Sequence, residues 1–397
     1  MSRALLAQAT GAVDEILRDV VELVEVETSS YDKPALDRGV AHLHELLARR
    51  LGEPSELHRH DGGERGDVLT ATYDGTGDGH VSLLAHYDTV WPTGTLAGWP
   101  VTTEEAADGL RTTGPGIFDM KTGLVQGIWA LRLLRESGAP TPAVTFVLNG
   151  DEEIGSIFSR SVIESVTSRT DATLVLEPSV AGAVKTGRKG IGIFGLETVG
   201  VESHAGLDPE AGASAVHALA RVITEAAKIA RPEVGTTVNV GLVEGGSGSN
   251  VVAGRATALV DVRVADEAEQ ARVDREFDAL RTGDERVTLK VTHGWNRPPM
   301  TLGPATRPLL NMAHDVAAEL DSTLRDVSVG GASDANFVAA LGKPVLCGLG
   351  AVGHGAHARG EYINPAAVPQ QTALVAGLLA RLAVEDLQQR SSDSPLG

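Results

Sequence analysis

Residues 80–88 read HVSLLAHYD, an apolar run that ends in a histidine and an aspartate. Short runs of this kind are typical of β-strands that are buried on both faces. Three more runs have the same character, and they are DVLTATYDG at 67–75, AVTFVLNG at 143–150 and ATLVLEP at 172–178. A helical pattern, TGLVQGIWALRLLRESG, fills residues 122–138 between them. This alternation predicts an α/β fold: a mixed, mainly parallel sheet with helices on both faces.

The character of the sequence changes between residues 190 and 297. The pattern there indicates strand, helix, strand, strand, helix and strand, an order that can form a small sheet with helices on one face. We therefore predict a smaller α+β sandwich at 190–297, inserted into a larger domain made from residues 1–189 and 298–397. The late segment GHGAHARGEY, residues 353–362, supports this return to the larger domain because its histidines complete the polar clusters described below.

Composition excludes several classes of protein. The 397 residues include 34 basic and 53 acidic side chains, a formal charge of -19 that opposes binding to nucleic acid or anionic membranes. No run approaches the ~20 apolar residues that span a bilayer, and acids interrupt the N-terminal segment where a signal peptide would be apolar, so we expect a cytoplasmic protein. The single cysteine, Cys347, excludes internal disulfides and predicts a buried, inert thiol.

Acidic residues and histidines cluster where the predicted strands end. The clusters are HYD at 86–88, FDMKTG at 118–123, NGDEEIGS at 149–156, LEPS at 176–179 and GHGAHARGEY at 353–362. Open α/β sheets bind their ligands at the carboxyl ends of strands. With only one cysteine available, a zinc site must use nitrogen and oxygen ligands, and these clusters supply enough for two neighbouring ions.

The first two clusters suit metal binding. His86 and Asp88 are two residues apart, so at a strand end their side chains point the same way. A carboxylate beside a metal-bound imidazole accepts its other N–H, so we predict His86 as a ligand and Asp88 as its supporting partner. Asp119 lies in a glycine-rich loop from which it can reach one metal or bridge two. The alternative is that Asp119 caps the following helix.

The paired glutamates suit two different roles. Glu152 and Glu153 follow an apolar strand, and adjacent side chains in such a turn point apart. One can hold a metal while the other takes a proton from water; the alternative is a solvated acidic turn. Glu177 ends a buried strand, where its charge needs a partner. His354 and His357 share one loop, and the residue pattern does not choose between them.

Seven motifs occur in a fixed order along nearly the whole chain. They are HYDTVWPTGT, GPGIFDMKTG, NGDEEIGS, LEPS, ESHAGLDPEAGASA, GGASDAN and GHGAHARGEY. Together they resemble the di-zinc exopeptidases and deacylases, a family that includes glutamate carboxypeptidase, aminoacylase and succinyl-diaminopimelate desuccinylase. The resemblance is strongest to the glutamate carboxypeptidase branch. It implies a zinc exopeptidase-like larger domain and an inserted domain that acts as lid and dimerisation domain.

The resemblance implies two Zn²⁺ per subunit, which Co²⁺ or Mn²⁺ can replace. It assigns as ligands His86, Asp119, Glu153, Glu177 and His357. In this assignment Asp119 bridges the ions, with His86 and Glu177 on one and Glu153 and His357 on the other. The family's last histidine precedes a short polar segment ending in Glu-Tyr, which selects His357 over His354.

Three residues match catalytic positions of the family. Glu152 matches the general base, and Asp88 matches the partner of the ligand His86. His204 matches a histidine that, in dimeric members, reaches the active site of the partner subunit and stabilises the oxyanion. We therefore expect a homodimer. The alternative for His204 is a solvated position ahead of a helix.

Four residues match positions that contact substrate in the family, and they are Arg297, Asn250, Arg263 and Gly331. The guanidinium fork of arginine suits a terminal carboxylate. Arg263 has an alternative, because on an exposed strand it can pair with a neighbouring acid. The segment GRKG at 187–190 departs from the branch member that prefers glutamate, so strict glutamate specificity does not follow.

The resemblance implies a zinc-dependent amidohydrolase that removes a C-terminal amino acid, glutamate among the candidates, from N-acyl amino acids or small peptides. One alternative is an aminoacylase or desuccinylase that uses the same residues on another acyl group. An alternative of a different class is a non-catalytic relative that binds a peptide or metabolite. An intact Glu152 argues against that last alternative, because the general base is still present.

Overall fold

The computed structural model describes residues 1–107 and 109–387. The chain divides into two compact units. The first comprises Met1–Thr186, Leu302–Ser328 and the chain from Ser333 onward, and the second comprises Gly187–Thr301 and Val329–Ala332. The second unit therefore includes three short segments that the sequence analysis assigned to the larger domain, and they are 187–189, 298–301 and 329–332.

The described chain begins with three helices and then mixes strands and helices. The helices are α1 (Ser2–Gly11), α2 (Val13–Glu25), α3 (Lys33–Leu51), α4 (Thr122–Glu136), α5 (Ser159–Thr167), α6 (Ala215–Ala227), α7 (Glu267–Asp278), α8 (Arg307–Glu319), α9 (Ala335–Ala340) and α10 (Val368–Leu382). The strands are β1 (Glu56–His60), β2 (Val68–Tyr73), β3 (His80–His86), β4 (Thr102–Ala106), β5 (Gly109–Thr113), β6 (Ala143–Asn149), β7 (Ala172–Val175), β8 (Val184–Arg188), β9 (Gly190–Val199), β10 (Thr237–Gly245), β11 (Arg255–Val264), β12 (Thr288–Thr292), β13 (Trp295–Arg297), β14 (Asp326–Val329), β15 (Val345–Cys347), β16 (Gly353–His354) and β17 (Tyr362–Ile363).

The first unit is built on an eight-stranded mixed sheet with the order β1-β2-β6-β3-β7-β15-β8-β14. The central strands β6, β3, β7 and β15 are parallel, whereas β1 with β2, β2 with β6, and β15 with β8 pair antiparallel. Nearly every residue of β3, β6 and β7 is buried. Because successive side chains of a strand point to opposite faces, this burial requires cover on both faces. The predicted α/β class is confirmed.

The sequence of the first ~50 residues predicts two amphipathic helices, the second beginning near Asp32 and Pro34, but the structure forms three helices there. The first prediction is wrong because α1 ends and α2 begins around Ala12, which has φ -99° and ψ 4°. The start of the next helix is confirmed. Asp32 caps α3 by accepting the N–H of Ala35 at 3.1 Å, and Pro34 lies in the first turn, where its missing N–H costs nothing.

The parallel register brings the polar clusters to one edge of the sheet. His86 at the end of β3 is opposite Asn149 at the end of β6, and Leu84 is opposite Val175 at the end of β7. The segments that follow these strands therefore emerge side by side. A smaller sheet, ordered β16-β17-β5-β4, carries two more of the predicted clusters in its loops.

The second unit has its own sheet, ordered β10-β11-β9-β12, with β13 also paired to β9. The predicted order of strand, helix, strand, strand, helix and strand is confirmed, and β13 is an addition to it. Helices α6 and α7 cover one face, where Phe194, Leu219 and Phe277 share a core. On the other face Ile193 and Val199 are exposed, so this sheet follows the alternating pattern of a one-sided layer.

The sequence predicts a buried thiol at Cys347. The residue is fully buried in β15, and its Sγ lies 3.8 Å from Ser333 Oγ, so this prediction is confirmed.

Among the residues that the structure describes, no helix combines the length and apolar character needed to cross a membrane.

Candidate metal centre

His86 and Asp119 meet beyond the end of β3. The imidazole of His86 is buried, and its Nε2 lies 3.3 Å from Asp119 Oδ1. Its Nδ1 lies 3.1 Å from the backbone oxygen of Asp88 and 3.4 Å from Asp88 Oδ1. An Nδ1–H held by Asp88 leaves Nε2 as the ligand atom, directed at Asp119.

The carboxylate of Asp88 also makes hydrogen bonds that the sequence did not indicate. It accepts hydrogen bonds from Ser30 Oγ at 2.8 Å and from the backbone N–H groups of Glu152 and Glu153, each at 3.2 Å. The nearer acceptor for His86 is the backbone oxygen of Asp88. Asp88 therefore fixes the acidic turn against the strand end as well as orienting the imidazole.

Asp119 lies in an irregular turn, Ile117–Lys121, and its own backbone is not helical, with φ -114° and ψ 98°. The capping alternative does not hold, because α4 has Lys121 at its N-cap position and no side-chain cap. The two carboxylate oxygens face different imidazoles. Oδ1 is 3.3 Å from His86 Nε2, and Oδ2 is 3.6 Å from His357 Nε2. This is the arrangement that a bridging carboxylate requires.

The paired glutamates occupy a 3-10 turn, Glu152–Ile154, after β6. The Glu153 side chain is buried, and its Oε2 lies 2.9 Å from His357 Nε2. Glu152 is close enough to both imidazoles for its charge to raise the pKa of His86 and of His357. Both glutamates of this turn therefore place negative charge near the imidazoles.

Glu177 closes the cluster from β7. Its Oε1 lies 3.9 Å from His86 Nε2, and its Oε2 lies 3.8 Å from Lys185 Nζ. The buried charge thus has the partner that its position at the end of a strand demands.

The structure separates the two late histidines. Both are exposed, but they differ in their neighbours: His354 lies in β16, whereas His357 lies in the hairpin loop between β16 and β17, beside Asp119 and Glu153. The backbone of His357 has φ 60°, a left-handed conformation that histidine adopts more readily than most residues. That conformation directs the second imidazole into the cluster.

The residues brought together fit a bound metal ion. His86, Asp119 and Glu153 offer ligand atoms that all lie within 4.8 Å of one another. At Zn–N and Zn–O distances of about 2.0 to 2.1 Å, two ligand atoms on one tetrahedral zinc lie about 3.3 Å apart. The separations of 2.9 to 3.9 Å between the imidazole nitrogens and the carboxylate oxygens bracket that value. A donor set of imidazole and carboxylate suits zinc.

The electrostatics of the cluster favour a bound cation. Burial raises the pKa of Glu153 to about 7. The hydrogen bond with Glu153 raises the pKa of His357 to about 9. Burial alone would lower the pKa of His86, but its hydrogen bonds with Asp119 and Asp88 raise it well above the ordinary value. Buried carboxylates thus surround both imidazoles with negative potential.

His204 lies in the second unit, in an exposed turn between β9 and α6. Its Nδ1 accepts the backbone N–H groups of Gly206 and Leu207, each at 3.1 Å. The neutral imidazole therefore carries its proton on Nε2, which can act as a donor. Asn250 lies beside this turn, because its backbone oxygen accepts the N–H of Ala205 at 2.9 Å.

The predicted substrate contacts all fall in the second unit. Arg263 pairs with Asp261 at 3.1 Å, which agrees with the alternative that it pairs with a neighbouring acid. Its Nη1 also donates to the backbone oxygen of Gly330 at 3.2 Å. The carbonyl of Gly331 accepts from Arg188 Nη1 at 3.0 Å. Arg297 is buried in β13, and its Nη1 lies 3.2 Å from Asn296 Oδ1.

A family model described as peptidase family M20/M25/M40 matches residues 82–381, a span that contains every predicted ligand. The chain belongs to this family. Its relatives include carboxypeptidase G2 from Pseudomonas sp., 30% identical over 394 residues, covering 95% of this chain and 92% of the relative. Succinyl-diaminopimelate desuccinylase from Paracoccus denitrificans is 29% identical, covering 85% of this chain and 92% of the relative. The predicted family is confirmed, and this M20 chain is a metallohydrolase.

A solved structure shows the same fold. A tripeptidase from Staphylococcus aureus superposes on the M20 chain with a TM-score of 0.76 at 21% identity, covering 94% of this chain and 98% of the tripeptidase. At that identity the likeness is one of fold. It supports the two-part architecture of sheet and inserted domain described above.

Proposed function

We propose that this chain is a zinc-dependent amidohydrolase that removes a C-terminal amino acid from N-acyl amino acids or small peptides, using two zinc ions per subunit. The observation that carries the proposal is Asp119, whose two oxygens face two different imidazoles. The relatives named carboxypeptidase and desuccinylase support the substrate class, because both names describe hydrolysis of an amide next to a carboxylate-bearing group.

The residues of the cluster have different roles in the proposed reaction. Asp119 would bridge the ions, with His86 and Glu177 on one side and Glu153 and His357 on the other. Bound zinc would polarise the scissile carbonyl and acidify the attacking water. The carboxylate of Glu152 takes the proton from that water and returns it to the leaving nitrogen. Asp88 holds the turn that carries Glu152, so it fixes where the proton is received.

His204 completes the proposed site by donating from Nε2 to the oxyanion. A neutral donor of this kind stabilises the charge that develops as the carbonyl carbon becomes tetrahedral. We propose that His204 acts in the partner subunit of a homodimer. The outer strand β10 supports association through the second unit, since Leu242 and Val243 on it are 64% and 58% exposed.

Mixing two inactive variants tests this role in trans. Glu152→Gln and His204→Ala, exchanged into mixed dimers, should partly recover activity, because one of the two sites then holds both intact residues. Native mass spectrometry checks the exchange, and amine release checks the activity. Confirmed exchange with activity no higher than that of the parents would place His204 in its own subunit or outside the reaction.

A substrate panel tests the proposed function. Zinc-loaded protein should release amine from N-acyl amino acids and dipeptides with a free terminal carboxylate, and chelation should stop release reversibly. Including N-acetyl and N-succinyl substrates separates the second candidate, an aminoacylase or desuccinylase, which the similarity to a desuccinylase favours. Bound zinc without hydrolysis of any panel member would favour a binding protein instead.

Arg297→Ala should chiefly weaken hydrolysis of the carboxylate-bearing members of that panel. An arginine–carboxylate pair is charge-assisted, and water replaces it poorly in a closed site. We expect kcat/KM to fall about tenfold or more, which corresponds to the ~1.5–3 kcal/mol of a hydrogen bond to a charged group. Amidated analogues provide the comparison. Equal losses on both substrate types would show that Arg297 only supports the fold.

A further inference from the structure

Glu361 is a fully buried carboxylate in the first unit, and it collects N–H donors from one short loop. It accepts the backbone N–H groups of Gly116 at 3.1 Å, Phe118 at 2.8 Å and Asp119 at 2.9 Å. The indole Nε1 of Trp91 donates a fourth hydrogen bond at 3.1 Å. An ionised carboxylate has about four acceptor sites, so these donors fill it.

Strand pairing places this carboxylate. Glu361 directly precedes β17, in which Tyr362 pairs with Thr113 at the end of β5. The backbone oxygen of Glu361 also accepts the N–H of Gly114 at 3.4 Å. The register therefore leaves the Glu361 side chain over the residues that follow β5, where the chain turns irregularly towards α4.

Asp119 depends on that irregular turn. The backbone of Asp119 and Met120 is not helical, and three N–H groups within four residues donate to the Glu361 carboxylate, so these hydrogen bonds hold the turn in its irregular path. The N–H of Asp119 itself is one of the three donors. Its peptide plane, and with it the direction of its side chain, is therefore set by Glu361.

The same hairpin holds the second imidazole. His357 and Glu361 lie in one loop between β16 and β17, so Glu361 connects the backbone that presents His357 to the turn that presents Asp119. We propose that Glu361 is a positioning residue that holds these two proposed ligands in one arrangement across the metal pair. The inference rests on the proposed metal site, although Glu361 itself belongs to neither the ligand set nor the catalytic set.

Glutamine is the informative substitution. Its side chain keeps the shape of glutamate but replaces one acceptor oxygen with an NH₂ group. That group would face N–H donors, so at least one buried backbone N–H would lose its acceptor. The turn must then shift to recover a hydrogen bond, and Asp119 shifts with it.

A matched control exists in the same unit. Asp19 is also a buried carboxylate that accepts an indole N–H, from Trp129 at 2.8 Å, and it lies in α2 with Arg50 as its ionic partner. Asp19→Asn should lower stability without altering the metal centre. Any effect that is common to both variants reports the general cost of changing a buried carboxylate.

The experiment measures Zn²⁺ affinity by competition with a chromophoric chelator and records the visible spectrum of the Co²⁺-loaded protein at saturation. For Glu361→Gln we expect zinc affinity to fall about 10- to 100-fold, the usual cost of losing a residue that orients ligands. We also expect the Co²⁺ bands to shift. Asp19→Asn should keep wild-type affinity and spectrum while its thermal midpoint falls.

Trp91→Phe is the second variant, in case Glu361→Gln does not fold. It removes one of the four donors and keeps an aromatic ring beside Trp99, so it should change affinity and spectrum in the same direction by a smaller amount. Wild-type affinity and spectrum in both folded variants, or in Trp91→Phe alone if the other does not fold, would overturn the inference. Wild-type protein that binds no zinc would instead overturn the proposed function.

Discussion

Glu152→Gln should lower turnover by about a hundredfold or more while zinc binding stays at the wild-type level. Glutamine matches the shape of glutamate, but its amide cannot accept a proton from water at neutral pH. The backbone N–H of residue 152 still bonds to Asp88 Oδ1, so the turn should keep its path. Steady-state kinetics on the best substrate of the panel, with metal content measured on the same sample, checks both parts.

The neighbouring glutamate is the control. Glu153→Gln makes the same chemical change in the same turn, but it weakens the contact between residue 153 and His357 Nε2 and removes the charge of a proposed ligand. It should therefore lose metal as well as activity. If Glu152→Gln kept wild-type turnover, Glu152 would have no part in proton transfer and the base would have to be another group.

His357→Ala should bind about one zinc ion fewer per chain and lose most activity. The substitution deletes the nitrogen of a proposed ligand, which faces both Glu153 and Asp119, and alanine offers no replacement. Metal analysis after dialysis against zinc-free buffer measures the loss. Added zinc should restore activity only at concentrations far above those that saturate the wild type.

His354→Ala is the matched control, because it changes a histidine three residues earlier in the same hairpin. His354 lies in β16, outside the cluster that His357 forms with Asp119 and Glu153, so the variant should retain its metal and its activity. Full occupancy in His357→Ala together with depletion in His354→Ala would reverse the ligand assignment.

The sequence predicted the first unit well where strands are buried on both faces. HVSLLAHYD and AVTFVLNG are continuous apolar runs, and such runs form central strands because both sides of the strand must be covered. The same runs predicted that the polar clusters lie at one edge of the sheet, since residues that end neighbouring parallel strands lie side by side. The break between α1 and α2 was missed, because its one sequence signal, Gly11, is also tolerated inside helices.

The sequence pattern did not predict the hydrogen bonds from backbone N–H groups to buried carboxylates. The pattern assigned Asp88 to His86, but it did not show that the same carboxylate also holds the N–H groups of Glu152 and Glu153. It treated Glu361 only as part of a motif. Which backbone donors a carboxylate collects depends on strand register and loop path, and neither is encoded by the spacing of side chains.

The proposed ligands are far apart along the chain, and this spacing affects how the protein forms. His86 and Asp119 are 33 residues apart, but His357 and Glu153 are 204 apart. Closing the longer loop costs more conformational entropy, because this cost grows with the logarithm of loop length. Packing of the sheet and helices must offset it. A nascent chain therefore cannot assemble the whole cluster before its last hairpin is made. Once assembled, a metal that binds only the folded state stabilises it by mass action, so zinc supply and folding yield become linked.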